Sequence, residues 1–175
     1  MLDINKTVLL ITGCIKPNPS TFQLSLTDVE QRLKQYIECI KWGIEKTAFV
    51  KIVFIDNSGF TVNPVLIDYA KQRGKRLEWL SFLGNEKMIE LCGKGYGEGE
   101  IIEYGLKYSE LLRGAAYFCK LTGRLKVENI NRFTKLAKMD KSYFWTMPDA
   151  RRGWSTDSSR TAQRPRCAGR SQTAR

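Results

Sequence analysis

The residues with the most capacity for chemistry stand where an apolar run ends. Ala115 to Cys119 reads Ala-Ala-Tyr-Phe-Cys and is followed at once by Lys120-Leu121-Thr122-Gly123-Arg124, so two cations and a hydroxyl flank a Thr-Gly turn. A buried strand rarely carries cations to its tip without an anionic partner, because unpaired charge near a core is costly. That partner is either the phosphate of a ligand or a carboxylate of the chain, with Glu98 and Glu128 as candidates, since ion pairs at sheet ends are common. A second cluster, Gly93-Lys94-Gly95-Tyr96-Gly97-Glu98-Gly99, invites a phosphate-loop reading. Glycines let backbone amides approach an anion, and a helix N-terminus favours negative charge. The exact fingerprints are not met: Lys94 is followed by Gly95 rather than Ser or Thr, and position 98 is Glu where the dinucleotide pattern needs Gly. A flexible loop leading into a helix is the alternative, and Lys94 with the free amides ahead of the helix favours the phosphate.

Other chemistry is excluded. Histidine is absent, which removes Ser/His/Asp and Cys/His catalysis and every zinc site built on imidazole. No Asp-x-Asp occurs, so the usual carboxylate pair gripping a divalent metal and a diphosphate is missing. The sequence therefore calls for no cofactor and assigns no metal site or catalytic base; were a metal needed, Asp56 is the first carboxylate to suspect. Cys14, Cys39, Cys92, Cys119 and Cys167 include no Cys-x-x-Cys pair, which suggests reduced, mostly buried thiols in a cytosolic protein.

The elements that must position these residues alternate. Thr7 to Thr12 is a continuous β-prone apolar run closed by Gly13, the pattern of a buried parallel strand. Thr27-Asp28-Val29-Glu30 reads as a capping box, and Val29, Leu33, Tyr36, Ile37, Ile40 and Ile44 share one helical stripe. Phe49 to Ile55 predicts a second strand ending in the polar turn Asp56-Asn57-Ser58-Gly59. Pro64 suits a helix's first position, Leu77 to Phe82 a third strand, Glu100 to Leu112 another helix, and Ala115 to Leu121 a fourth strand. Trp42, Trp79 and Tyr104 fall on apolar faces and read as core. The order predicts an α/β fold with a mostly parallel, Rossmann-like sheet and helices on both faces. Ligands of such sheets sit beyond the carboxyl ends of the strands, here Thr12-Gly13, Asp56-Asn57-Ser58 and Lys120 to Arg124.

The 175 residues suit one domain with a short appendage. The longest strictly apolar run is around Val8 to Ile11, which argues against a signal peptide or a membrane span. Charge divides the chain near Trp145. Residues 1–145 carry 16 Lys and 6 Arg against 16 acids, or +6, whereas residues 146–175 carry 7 Arg and no Lys against Asp149 and Asp157, or +5. From Ala150 onward there is a single Trp and no Ile, Leu, Val or Phe, too little to bury a core. The reading is an α/β domain over 1–145, to which the resemblance given below assigns nucleotide-sugar binding, and a disordered Arg/Ser-rich tail over 146–175, entered from another frame or by fusion; a natural disordered arm is the alternative. Brief proteolysis is expected to trim the chain near Trp145 while the body resists, and a protected tail would contradict this.

Taken in order, Leu9-Leu10-Ile11-Thr12-Gly13, Arg32 with Tyr36, Phe54-Ile55-Asp56-Asn57-Ser58-Gly59, Gly93 to Glu98, Lys120 to Leu125 and Val127-Glu128-Asn129-Ile130 resemble bacterial glycosyltransferases of surface-polysaccharide clusters, which have the GT-A, nucleotide-diphospho-sugar transferase fold. The resemblance covers about residues 5 to 133 and stops near the tail boundary, implying a chain truncated relative to that family. It implies that Thr12 and Gly13 lie under the nucleotide, that Asp56 and Asn57 face the base or ribose, and that Gly93, Lys94, Gly95 and Glu98 wrap the nucleotide or sugar. Lys120, Thr122 and Arg124 occupy the place of the family's metal-binding carboxylates, so that fixed positive charge would neutralise the leaving diphosphate without a metal. The partners implied are a nucleotide-diphospho-sugar donor and a glycan or lipid-linked acceptor, met in the cytoplasm or peripherally at the inner face of a membrane, with no specific nucleic acid. The rival expectation is a nonenzymatic basic module whose tail binds nucleic acid or anionic membrane; a nucleotidyltransferase would need a metal. Deleting residues 146–175 discriminates, since only tail-borne binding would vanish.

Overall fold

The apolar run of the first strand is explained by its place at the centre of a sheet. In the computed structural model, which describes residues 2–18, 26–61 and 64–137, the strands are β1 (Thr7–Gly13), β2 (Lys51–Asp56), β3 (Arg76–Ser81) and β4 (Tyr117–Thr122). All pairings are parallel and the order is β3-β2-β1-β4. Among the described residues the α-helices on the sheet's two faces are α1 (Val29–Lys46), α2 (Val65–Gln72), α3 (Glu86–Cys92), α4 (Lys94–Tyr108), α5 (Glu110–Arg113) and α6 (Ile130–Leu136). The described residues all fall within one unit, Met1–Met139. The tail expected at 146–175 lies outside the described residues.

Successive side chains of a strand point to opposite faces, so the middles of β1 (8–11) and β2 (52–55) must be apolar at every position to supply two cores. Leu9, Ile11, Ile52 and Phe54 meet Tyr36, Cys39, Ile40 and Ile44 of α1, Leu66 and Ala70 of α2 and Ile130 of α6. Val8, Leu10, Val53 and Ile55 meet Ile101 of α4 and Leu111 and Leu112 of α5 on the other face. Trp42 and Trp79 pack against the first core and Tyr104 against the second, as expected of core aromatics.

Three local expectations need correction. The α1 N-cap is Asp28, not Thr27: its carboxylate accepts from the Gln31 N–H at 2.7 Å. Asp28→Ala is expected to lower stability by about 1 kcal/mol in chemical denaturation, the usual worth of such a cap. The segment 100–112 is two helices, because Ser109 breaks the run and caps α5, its Oγ accepting from the Leu112 N–H at 3.0 Å. The glycine-rich segment, expected as a loop, is the first half of α4, preceded by the unforeseen α3. Each glycine costs a helix about 1 kcal/mol relative to alanine, but packing outweighs this. A Cβ on Gly97 would stand 3.0 Å from Ile89 Cδ1, and one on Gly105 2.5 Å from Ile55 Cδ1, so these two glycines let α4 lie close to α3 and the sheet. Gly93, at φ +81°, makes the sharp joint between α3 and α4.

Candidate functional site

Because the strands run the same way, their carboxyl ends align. Gly13 pairs with Asp56, Asp56 with Ser81, and Thr12 with Thr122. The chain leaves β1 for β2 on one side and later returns to β4 on the other, the switch point at which open α/β sheets leave a crevice. A cleft of about 1300 Å³ lies there. Thr12, Gly13, Asn57, Lys94, Glu98, Thr122 and Arg124, all expected at the site, line it; Arg32, Gln35 and Tyr36 of α1 form one wall. Asp56, Gly93, Gly95 and Lys120 are not among its lining residues.

Asp56 has a different task from the one expected. Its side chain is fully buried and its oxygens accept from Ile15 N–H (2.7 Å), Ser58 N–H (2.9 Å), Phe60 N–H (2.9 Å), the Ser58 hydroxyl and, at 3.4 Å, the Ser81 hydroxyl. A carboxylate so occupied ties the segment after β1 to the turn after β2, and it is not among the residues that line the cleft. Asn57 is nearer the expectation. Its backbone links Gly13 (3.1 Å) and Gly84 (2.9 Å), its side chain borders the cleft, and its Oδ1 is buried with no hydrogen-bond partner among the described residues. A Cβ on either Gly84 or Gly97 would come within 3.2 Å of its Nδ2, so glycine at both positions makes room for this amide.

The glycine cluster is helical instead of a loop. The Gly93 N–H caps α3 on the Ile89 carbonyl at 2.8 Å, while Gly95 and Gly99 lie inside α4 with open space where a Cβ would stand. Lys94 opens α4 at the cleft. One turn on, Glu98 Oε1 takes a salt bridge from Lys120 Nζ and hydrogen bonds from the hydroxyls of Thr12 and Thr122, each at 3.2 Å. Of the two partners open to Lys120, a ligand or Glu98, the chain supplies Glu98.

Arg124 and Arg32 are placed otherwise. Arg124 Nη1 donates to Gln35 Oε1 at 2.7 Å, and no carboxylate among the described residues pairs with it. Arg32 is 5% exposed. Its Nε and Nη2 donate to the Cys14 carbonyl at 2.9 and 2.5 Å, and its Nη1 to the Leu26 carbonyl at 2.8 Å. It too lacks a carboxylate partner among the described residues. Sequence reasoning named Arg32 only within the resemblance and gave it no role, passed over Gln35, and offered Glu98 as a partner for the strand-end cations without foreseeing that the Thr12 and Thr122 hydroxyls converge on it as well. The available signal was a charged residue one turn before Tyr36 on the buried stripe of α1. Tyr36 accepts from the Cys14 N–H at 3.0 Å, and burial raises its pKa above the ordinary value.

Cys14 also lines the cleft. Burial and then the charge of Asp56 push its thiol up to about 11, so the thiolate forms only well above neutrality. Alkylation by iodoacetamide at pH 8 is therefore expected to be slow and to accelerate until about pH 11, since only the thiolate reacts. Rapid labelling of Cys14 at pH 7, read by peptide mass spectrometry, would contradict this.

Among the described residues no group of three Cys, Asp or Glu side chains could hold a metal ion, and none of their helices is long and apolar enough to cross a membrane. In comparisons with protein-family models, curated proteins and solved structures, nothing matches this chain.

Proposed function

We propose that the chain binds a nucleotide-diphospho-sugar in the cleft at the carboxyl ends of β1 and β4 and, as a glycosyltransferase, passes the sugar to a surface-polysaccharide or lipid-linked acceptor. The observation that carries this reading is that Arg124 stands in a crevice at the sheet's switch point without a carboxylate partner among the described residues, whereas the donors of the neighbouring Arg32 are taken up by the Cys14 and Leu26 carbonyls. A cation held there without an internal anion suits a diphosphate, and guanidinium groups meet phosphate oxygens in paired, charge-assisted hydrogen bonds. The buried Asn57 amide, with an oxygen still unpartnered, suits a base or a sugar hydroxyl. In transfer, the leaving nucleoside diphosphate gains negative charge as the glycosidic bond breaks, and fixed cations lower that barrier. The sugar acceptor enters from the open side of the cleft.

The test is calorimetric titration of the full chain with UDP-, GDP-, CDP- and dTDP-linked sugars, with and without excess chelator. Saturable binding of at least one, retained in chelator, is the expected result. Failure of all four would overturn the reading, and strict dependence on magnesium or manganese would overturn its metal-free form. Removing residues 146–175 is expected to leave binding intact; loss of all binding on that deletion would favour the basic-module reading instead.

A further inference from the structure

We infer that Thr12, Thr122 and Lys120 form an oxyanion seat that Glu98 fills while the cleft is empty, and that a phosphate of the ligand takes the seat by displacing Glu98. The inference rests on the diphosphate reading of the cleft and adds where one phosphate goes and what must move.

Three donors from two strand ends converge on a single oxygen. Lys120 Nζ, Thr12 Oγ1 and Thr122 Oγ1 all donate to Glu98 Oε1, and none of the hydrogen bonds described above uses Oε2. An ammonium and two hydroxyls around one anionic oxygen is a donor set that a phosphate oxygen fits equally well. The donors do not depend on Glu98 for their position. Thr12 and Thr122 are register partners across β1 and β4, and Lys120 lies two residues back on β4, its Nζ within 3.3 Å of Thr122 Oγ1. The sheet therefore fixes the two threonines and the backbone of Lys120, and the Thr122 hydroxyl remains a partner for the lysine when Glu98 leaves.

Glu98 is held more loosely than the seat. It stands in the glycine-rich first half of α4, its side chain is 35% exposed, and that of Lys120 is 26% exposed. An ion pair this wet is weak in net terms, so exchanging its carboxylate for another anion costs little. Glu98 borders the cleft and can rotate away from the strand ends by its side-chain torsions alone. A phosphate brings more negative charge to the same donors, and Arg124 lines the same cleft as Thr12, Thr122 and Glu98. Glu98 thus acts as a competing internal anion that lowers apparent affinity without closing the site.

Removing its charge should then tighten binding, the reverse of what a ligand-contacting acid or a simple structural tether predicts. Glu98→Gln is expected to bind inorganic pyrophosphate and UDP about tenfold more tightly than the wild-type chain, about 1.4 kcal/mol by the usual conversion. Adding Lys120→Met to Glu98→Gln is expected to cancel the gain. Glu98→Asp, which withdraws the carboxylate by one methylene yet keeps its charge, is expected to give a smaller gain and serves if the glutamine variant does not fold. Unchanged or weaker pyrophosphate binding in the folded glutamine or aspartate variant overturns the inference. If the wild-type chain still binds a nucleotide-sugar in that event, the proposed function stands without the seat; if neither wild type nor variant binds any phosphate compound, both fall.

Discussion

Asp56→Ala is expected to lower folding stability by about 3 to 5 kcal/mol, a large share of what a domain of this size has. The carboxylate is fully buried, and it is the acceptor for the backbone N–H groups of Ile15, Ser58 and Phe60. Alanine leaves these donors without a partner, and each buried N–H left unsatisfied costs about 1 to 3 kcal/mol before water enters to recover part of it. Asp56→Asn keeps the shape but turns one acceptor into a donor facing other donors, so it should cost nearly as much. Urea denaturation at neutral pH measures both. A loss under about 1 kcal/mol, together with weakened nucleotide binding, would mean that Asp56 faces a ligand after all.

The second large effect is expected at Arg124, on binding instead of folding. Arg124→Met should weaken nucleoside-diphosphate binding by about 1.5 to 3 kcal/mol, the range for hydrogen bonds to charged groups. Melting temperature should barely change, because the visible bond of this guanidinium is to Gln35, an exposed side chain. Arg124→Lys should recover only part of the affinity, since an ammonium cannot reproduce the two-pronged guanidinium fork. Lys120→Met is the contrast: its partner is Glu98, so its effect on binding in the wild-type background should be the smaller. Calorimetry with UDP and a thermal melt on the same samples separate these outcomes. A fall in melting temperature with unchanged UDP affinity would assign Arg124 to structure and remove the main support for the diphosphate site.

Much of the fold is legible in the sequence. The runs Thr7 to Thr12 and Phe49 to Ile55 are apolar at every position that must face one of two cores, and a sheet covered on both faces is the only arrangement that uses them fully. The stripe of α1 was equally plain, because Tyr36, Ile40 and Ile44 recur at helical spacing and all three are buried. Parallel strands in turn fix which end of the sheet carries a cleft, so Thr12, Gly13, Asn57, Thr122 and Arg124 could be placed there from their positions alone.

What sequence determined by itself, then, was the layer order, the strand direction and the end of the sheet at which the cleft opens, all of which follow from periodicity and chain continuity. Only the tertiary structure decided which polar side chains line that cleft and which are taken up by other parts of the chain. Glycine spacing over 93–99 described a loop, yet the segment is helical and Gly97 serves packing at a distance set by Ile89 of the preceding helix. Asp56 and Lys120 had the right chemistry for a site, but partners from other elements, the backbone amides of Ile15 and Phe60 and the carboxylate of Glu98, take up their charge. A hydrogen bond is decided by three-dimensional proximity to a few tenths of an ångström, and that proximity comes from how α1 and α4 settle on the sheet.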